Sequence, residues 1–273
     1  MEETMESRKK AEAEFHDRLR QEAPFQRYTL AAETEVEQDP LWSNFKFYSV
    51  EKRSRAHFDN WLLTRCPGKH LLDYGCGNGE DSILAAQNGA TVVGIDISEV
   101  SITHCKQRAL AAGVSELTDF HVMDAEALRF EDNSFDLIME YGVLHHLDFS
   151  AAMREIARVL RPTGAVICTE TLGHNPLIRA YRRRTPHLRT AWEIEHILRR
   201  ETIQLTKRWF GRVDKRFYHL ATLASVPFRK TPLFDALLTS LGAVDSLLLR
   251  LPIIKWQAWQ VVMELSKPVK NRA

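Results

Sequence analysis

The stretch His70–Asp81, "HLLDYGCGNGED", sets three glycines at alternate positions directly after a short apolar run. "HLLDY" reads as a strand. Glycine is useful just after a strand where the backbone must turn sharply or lie close to a ligand. A ligand seated on such a loop meets the N-terminus of the next helix with its polar groups. That next segment, "GEDSILAAQNG", has helical character and stops at Gly89.

Outward from this loop the same alternation continues. "TVVGID" reads as a strand, and "SEVSITHCKQRALAAG" as a helix with Ser98 as N-cap and Gly113 just past its end. "TDFHVMD" and "FDLIMEYG" are strands, "FSAAMREIARVLRP" a helix and "GAVICTE" a fifth strand. Strands alternating with helices at this spacing predict an α/β fold built on a doubly wound, mostly parallel sheet. Upstream, residues 3–22 read as a charged helix with Phe15 and Leu19 as an i,i+4 apolar contact. "FKFYSVEKRSRAHFDNWLL" reads as a second helix, ended by the turn "CPGK". Beyond Glu170 the text becomes long, helical in tendency and rich in arginine. "RVDKRFYHL" reads as a strand, "TPLFDALLTSLGAVDSLLLRL" as an apolar helix and "KWQAWQVVMEL" as a last strand. Residues 171–205 and the helix over 232–250 are expected to cap the C-terminal edge of the sheet, where open α/β sheets bind ligands.

Composition narrows the function. Lys plus Arg number 37 against 36 Asp plus Glu, so a net charge of +1 argues against bulk attraction to nucleic acid. The four cysteines lie far apart with no CxxC, which fits a reducing, cytoplasmic setting and no Cys-rich metal site. The charged N-terminus does not read as a signal peptide. No run approaches the roughly 18 apolar residues of a membrane span.

The loop also narrows the ligand. A dinucleotide fingerprint has the form GxGxxG, but Gly75, Gly77 and Gly79 give GxGxG, and Glu80 occupies the place of the third glycine. A carboxylate there repels pyrophosphate. Asp73 suits the ammonium group of a ligand with an amino-acid portion. Asp96, at the end of the second strand, is placed to accept both ribose hydroxyls. Asp124 and the Ala125 amide follow the third strand, where they can read an adenine edge.

Taken together, "LLDYGCGNGED", "VVGIDIS", "MDAEALRFEDNSFDLIMEYGVLHHL" and "REIARVLRPTGAVI" resemble, in order and spacing, the class I S-adenosylmethionine-dependent methyltransferases, and most closely the type-11 methyltransferase domain. The resemblance covers residues 46–170 and continues more narrowly through "GHNPLIRAYRRRTPHLRT". It implies a seven-stranded sheet whose last strand runs antiparallel, with S-adenosylmethionine as methyl donor. The expected cofactor-binding set is Asp73, Gly75, Cys76, Gly77, Asn78, Gly79, Asp96, Ile97, Asp124, Ala125, Glu126 and Glu140. The expected organisation is an N-terminal helical segment (1–65), the cofactor-binding core (66–170), a cap with the sixth strand (171–255), and the last strand and tail (256–273).

For catalysis, His145 and His146 follow the fourth strand and Glu170 ends the fifth. A carboxylate under an apolar cap is expected to be desolvated and raised in pKa, ready to act as a base. His174, Asn175, Arg179, Tyr181, Arg182 and Arg189 are the expected substrate contacts, the arginines facing an anionic group. Trp192, Trp209, Phe210, Phe217, Tyr218, Phe228 and Phe234 are candidates for its apolar part. The expected acceptor is a small, largely hydrophobic metabolite. It is methylated on oxygen with His145 assisting, or on carbon of a prenyl diphosphate with Glu170 as base. A diphosphate would bring Mg²⁺ with it. An RNA methyltransferase and a non-catalytic cofactor-binding module are the alternatives. No nucleic-acid or membrane partner is expected, and a homo-oligomer is left open.

Overall fold

The computed structural model describes residues 5–22, 29–36 and 43–270. The start of the expected N-terminal helix and the end of the expected tail lie outside them. In chain order the elements are helices α1 (Met5–Glu22), α2 (Leu30–Val36) and α3 (Lys52–Arg65), strand β1 (His70–Tyr74), α4 (Glu80–Gln87), β2 (Thr91–Asp96), α5 (Glu99–Ala111), β3 (Thr118–Val122) and β4 (Phe135–Tyr141). Then follow α6 (Phe149–Val159), β5 (Leu160–Thr171), α7 (Pro176–Arg184), α8 (Ala191–His196), α9 (Arg200–Leu205), β6 (Phe210–Tyr218), α10 (Phe234–Leu248) and β7 (Gln260–Pro268).

The seven strands form one sheet in the order β3-β2-β1-β4-β5-β7-β6. β1 to β5 pair in parallel, and β7 runs antiparallel to both β5 and β6. Strand order reverses between β1 and β4, which makes the crevice above their C-terminal ends the expected ligand position. Consecutive residues of β1 feed opposite cores. Leu71 packs with Phe58, Trp61 and Leu62 of α3, while Leu72 packs with Met153 and Ile156 of α6. Burial on both faces explains why these strands read as continuous apolar runs.

Four local readings change: the last strand, expected to open at Lys255, starts at Gln260 after a 3₁₀ turn over Ile254–Gln257, and three others follow. The helix expected to run to Pro162 stops at Val159, and β5 starts at Leu160. Pro162 disfavours helical backbone at the residue before it, so the chain is already extended there. The long helical reading after Glu170 resolves into α7, α8 and α9. Pro186 follows the end of α7, and Leu198 leaves helix to bridge Leu172. The second expected helix is a 3₁₀ segment (Phe45–Val50) followed by α3. Among the described residues no helix is long and apolar enough to cross a membrane.

Candidate active site

The loop after β1 is shaped by its glycines. Gly75, Gly77 and Gly79 have φ of 79°, 52° and 77°, the left-handed region that glycine enters freely. Gly75 is further constrained by packing, because a Cβ there would stand 2.4 Å from Val143 Cγ2. Gly75 N and Cys76 N donate to Ile95 O at 2.9 and 2.8 Å, tying the loop to β2. The Asp96 carboxylate completes the tie, accepting from Gly77 N and Ser98 N at 2.9 Å each. Burial pushes its pKa up, although these N–H groups oppose the shift. Cys76 and Asn78 are buried, and Asn78 Oδ1 lies 3.2 Å from His104 Nδ1. Ile97, half-buried, follows Asp96.

Asp73 is buried beneath the loop and accepts from Ser82 Oγ at 2.6 Å. Burial, and then the neighbouring charge of Asp81, push its carboxyl up to about 8. Asp81 itself pairs with Arg55.

Helix α1 lies across the C-terminal ends of β2, β3 and β4. Asp17 accepts from Ser98 Oγ at 2.5 Å and Val100 N at 3.3 Å, at the start of α5. Lys9 reaches Asp124 at 2.6 Å, and Arg8 pairs with Glu126 at 2.5 Å in a buried bridge. Glu126 also accepts from Asp148 N at 2.7 Å, and Ala125 O accepts from Tyr74 Oη at 2.5 Å. Phe15 and Leu19, expected as a contact along the helix, both line the cavity described below.

Two buried carboxylates and an imidazole are linked under the turn after β4. Val143 N donates to Glu140 at 2.5 Å and Leu144 N donates to Glu170 at 2.6 Å. Glu170 Oε2 lies 2.7 Å from His145 Nδ1. Burial together with the adjacent Glu170 charge pushes Glu140 well up, so Glu140 holds the proton of the pair. The expectation of a raised Glu170 is corrected here. Burial alone would raise it, but His145 and the proton of Glu140 together hold it below the usual carboxylate range. An ionised carboxylate only accepts, so Nδ1 of His145 carries a hydrogen toward it, and Nε2 lies 3.9 Å from Glu193 Oε1. Glu140, expected among the cofactor contacts, is fully buried beneath the turn.

His145 and His146 line a cavity of about 1060 Å³ between α1, the 3₁₀ segment, the cap and the sheet edge. Asn175, Tyr181, Arg182 and Arg189 line it too, whereas His174 and Arg179 do not. His174 Nε2 accepts from Arg200 N at 2.7 Å, at the start of α9. Arg179 is exposed. Arg182 is committed to Glu193 at 2.8 Å, and Arg189 Nε lies 3.4 Å from the same carboxylate oxygen. Asn175 caps α7 by accepting from Leu177 N at 2.9 Å. Of the aromatic residues expected around the apolar part of the substrate, Phe234 lines the cavity, while Trp209 and Phe210 belong to the core. The walls are instead Phe15, Phe45, Phe47, Tyr48 and Trp259.

The family model described as "Methyltransferase domain" matches residues 72–168, the span of the glycine loop, the acidic strand ends and His145. The chain contains a class I S-adenosylmethionine-dependent methyltransferase domain. Its sheet order and antiparallel β7 agree with that family's fold. The 27-O-demethylrifamycin SV methyltransferase of Amycolatopsis mediterranei (strain S699) is 43% identical over 105 residues, 38% of this chain and 39% of that protein. Methyltransferase GfsG of Streptomyces halstedii is 31% identical over 187 residues, 64% of each chain. The chain thus spans from 39% to 64% of the length of these two curated relatives. Among solved structures, the geranyl diphosphate C-methyltransferase of Streptomyces coelicolor A3(2) aligns over 95% of this chain and 98% of that one, with a TM-score of 0.59 at 11% identity. That likeness is one of fold.

The structure also brings to this cavity residues that sequence reading missed. Glu51 lines the cavity, and burial raises its carboxyl to about 8 despite a hydrogen bond from Gln260. Arg55, one turn after it on α3, lines the same wall, as does Tyr141. The i,i+4 pair Glu51/Arg55 was visible in the text, but it reads there as an ordinary helix-surface pair.

Proposed function

We propose that this chain transfers a methyl group from S-adenosylmethionine to a hydroxyl oxygen of a small, largely apolar acceptor. The observation that carries the reading is His145. Its Nδ1 is fixed by Glu170 at 2.7 Å, and its imidazole lines the cavity. The donor supplies an electrophilic methyl group on sulfur.

The residues at the glycine loop fit that donor. The bare turn at Gly75–Gly79 lets backbone approach it. The carboxyl of Asp73 is a partner for an ammonium group and that of Asp96 for a ribose diol. Asp124, Ala125 and Glu126 border the expected adenine position. In this reading α1 covers the cofactor cleft through Lys9 and Arg8.

His145 Nε2 accepts the acceptor's hydroxyl proton as the oxygen bonds to the methyl carbon and the carbon–sulfur bond breaks. Glu170 holds the tautomer and stabilises the imidazolium that forms. A base so placed supplies roughly 10²–10⁴ in rate, and the remainder comes from positioning. Glu170 itself is turned away from the cavity with both oxygens bonded, which disfavours it as the base in alkene methylation.

The aromatic walls suit an apolar body. Arg182 and Arg189, sharing one carboxylate, leave positive character for an oxygen-rich end. The name of the Amycolatopsis relative describes methyl transfer to oxygen of a natural product, which supports the same reaction class. The test is a screen of phenols, macrocyclic alcohols, sugars and prenyl diphosphates with isotopically labelled S-adenosylmethionine, the methylated atom being located by fragmentation. Label found on oxygen supports the proposal; label found only on carbon or nitrogen refutes it.

A further inference from the structure

We infer that Glu12, His16 and His146 form a binding site for a divalent first-row transition ion at the joint between α1 and the turn after β4. This goes beyond the methyl-transfer reading and does not rest on it. Glu12 and His16 stand at i and i+4 on one face of α1, and His146 comes from the opposite wall. Glu12 Oε2 lies 3.0 Å from His146 Nδ1 and 3.7 Å from His16 Nε2, and all three donor atoms fall within 4.8 Å of one another. Metal–ligand bonds of about 2.0–2.2 Å in tetrahedral geometry hold donor atoms about 3.3–3.5 Å apart. The two Glu12–imidazole separations bracket that value, and the His16–His146 separation stays below 4.8 Å, so coordination draws the two imidazoles together around Glu12. The other Glu12 oxygen accepts from the Thr190 hydroxyl, which orients the carboxylate as outer-shell partners do.

Among the described residues no lysine or arginine pairs with Glu12. In contrast, Glu193, which forms a second such group with His145 and His146, is claimed by Arg182 and Arg189. That cationic pair disfavours an ion there. Two imidazoles and one carboxylate suit Zn²⁺, Fe²⁺, Co²⁺ or Ni²⁺ over Mg²⁺, which prefers an oxygen shell. His16 and His146 line the cavity, so the remaining coordination positions open onto it. An ion held there would also pin α1 to the core.

The test is titration calorimetry of untagged, chelator-dialysed full-length protein with Zn²⁺ and with Mg²⁺, together with the visible spectrum on adding Co²⁺. Wild type is expected to take up a single Zn²⁺ in preference to Mg²⁺, and to give a Co²⁺ ligand-field band. His16→Ala and Glu12→Gln should each weaken Zn²⁺ at least about tenfold and lose the band, while the exposed His187→Ala should change neither. Glu12→Gln keeps the shape of the side chain, so it decides the matter should His16→Ala fail to melt cooperatively. Absence of saturable Zn²⁺ uptake, or uptake equally strong in Glu12→Gln, overturns the site.

Discussion

His145 Nδ1 stands 2.7 Å from Glu170 Oε2, and the same carboxylate accepts Leu144 N–H at 2.6 Å. Both Glu170 oxygens are therefore spent inside the protein, and the imidazole is the part of the pair that meets the cavity. Glu170→Gln replaces an acceptor by a group that can donate to Nδ1, which puts the hydrogen on the wrong ring nitrogen. Acceptor turnover should fall by roughly 10²–10⁴ with S-adenosylhomocysteine affinity nearly unchanged. Steady-state kinetics and calorimetry on a variant with a normal melt check this.

Asp96 has two duties in this account, the ribose and the loop. Asp96→Ala removes the acceptor for Gly77 N and Ser98 N as well as any ligand contact. Cofactor-product affinity should drop at least about tenfold, and urea unfolding should report a loss of about 1–3 kcal/mol for the stranded buried N–H groups. Unchanged affinity in the folded variant removes Asp96 from the cofactor site.

Asp73 and Glu51 each contribute a pH dependence. Burial raises both carboxyls to about 8, so the folded protein binds protons that the unfolded chain has already lost. Their contribution to stability is full below the ordinary carboxylate pKa of about 4 and is lost as pH rises through about 8. The melting temperature of the ligand-free protein should therefore fall over that range, with a shallower slope in Asp73→Asn. An ammonium ligand favours ionised Asp73, so S-adenosylhomocysteine binding at neutral pH should release a proton. Calorimetry in buffers of different ionisation enthalpy reads that proton directly.

Arg8 and Glu126 are both nearly buried at 2.5 Å. Arg8→Met leaves the carboxylate short of its main partner, a change that costs about 3–5 kcal/mol at a fully buried site, lessened here because Lys9 stands 3.2 Å away. The cost should appear as loosened docking of α1. Hydrogen exchange of α1 amides should quicken in Arg8→Met more than in the part-exposed Lys9→Ala, while the sheet core stays protected.

The sheet was legible because its signals are local. Glycines at alternate positions, apolar runs of strand length and caps such as Ser98 each announce themselves within a few residues. Pro162 and Pro186 also stood in the text, and weighing them would have ended α6 and divided the cap as the structure does. What sequence could not show depends on distant pairs. The ionised state of Glu170 is set by His145 and Glu140, which lie on other elements. The position of α1 is fixed by ion pairs such as Lys9–Asp124, which span 115 residues and leave no periodicity to read. The arginine cluster divides for the same reason: Glu193 turns Arg182 and Arg189 inward, while Arg179, without such a partner in the structure, is exposed.

The central claim is that His145, oriented by Glu170, is the base in an oxygen methylation. Its most direct test is single-turnover methyl transfer from labelled S-adenosylmethionine to a hydroxyl acceptor found by the screen, comparing wild type with His145→Ala at saturating donor. The account predicts a rate lowered by roughly 10²–10⁴, partly restored by added imidazole, with donor affinity unchanged. A folded His145→Ala protein that transfers methyl at the wild-type rate would contradict it.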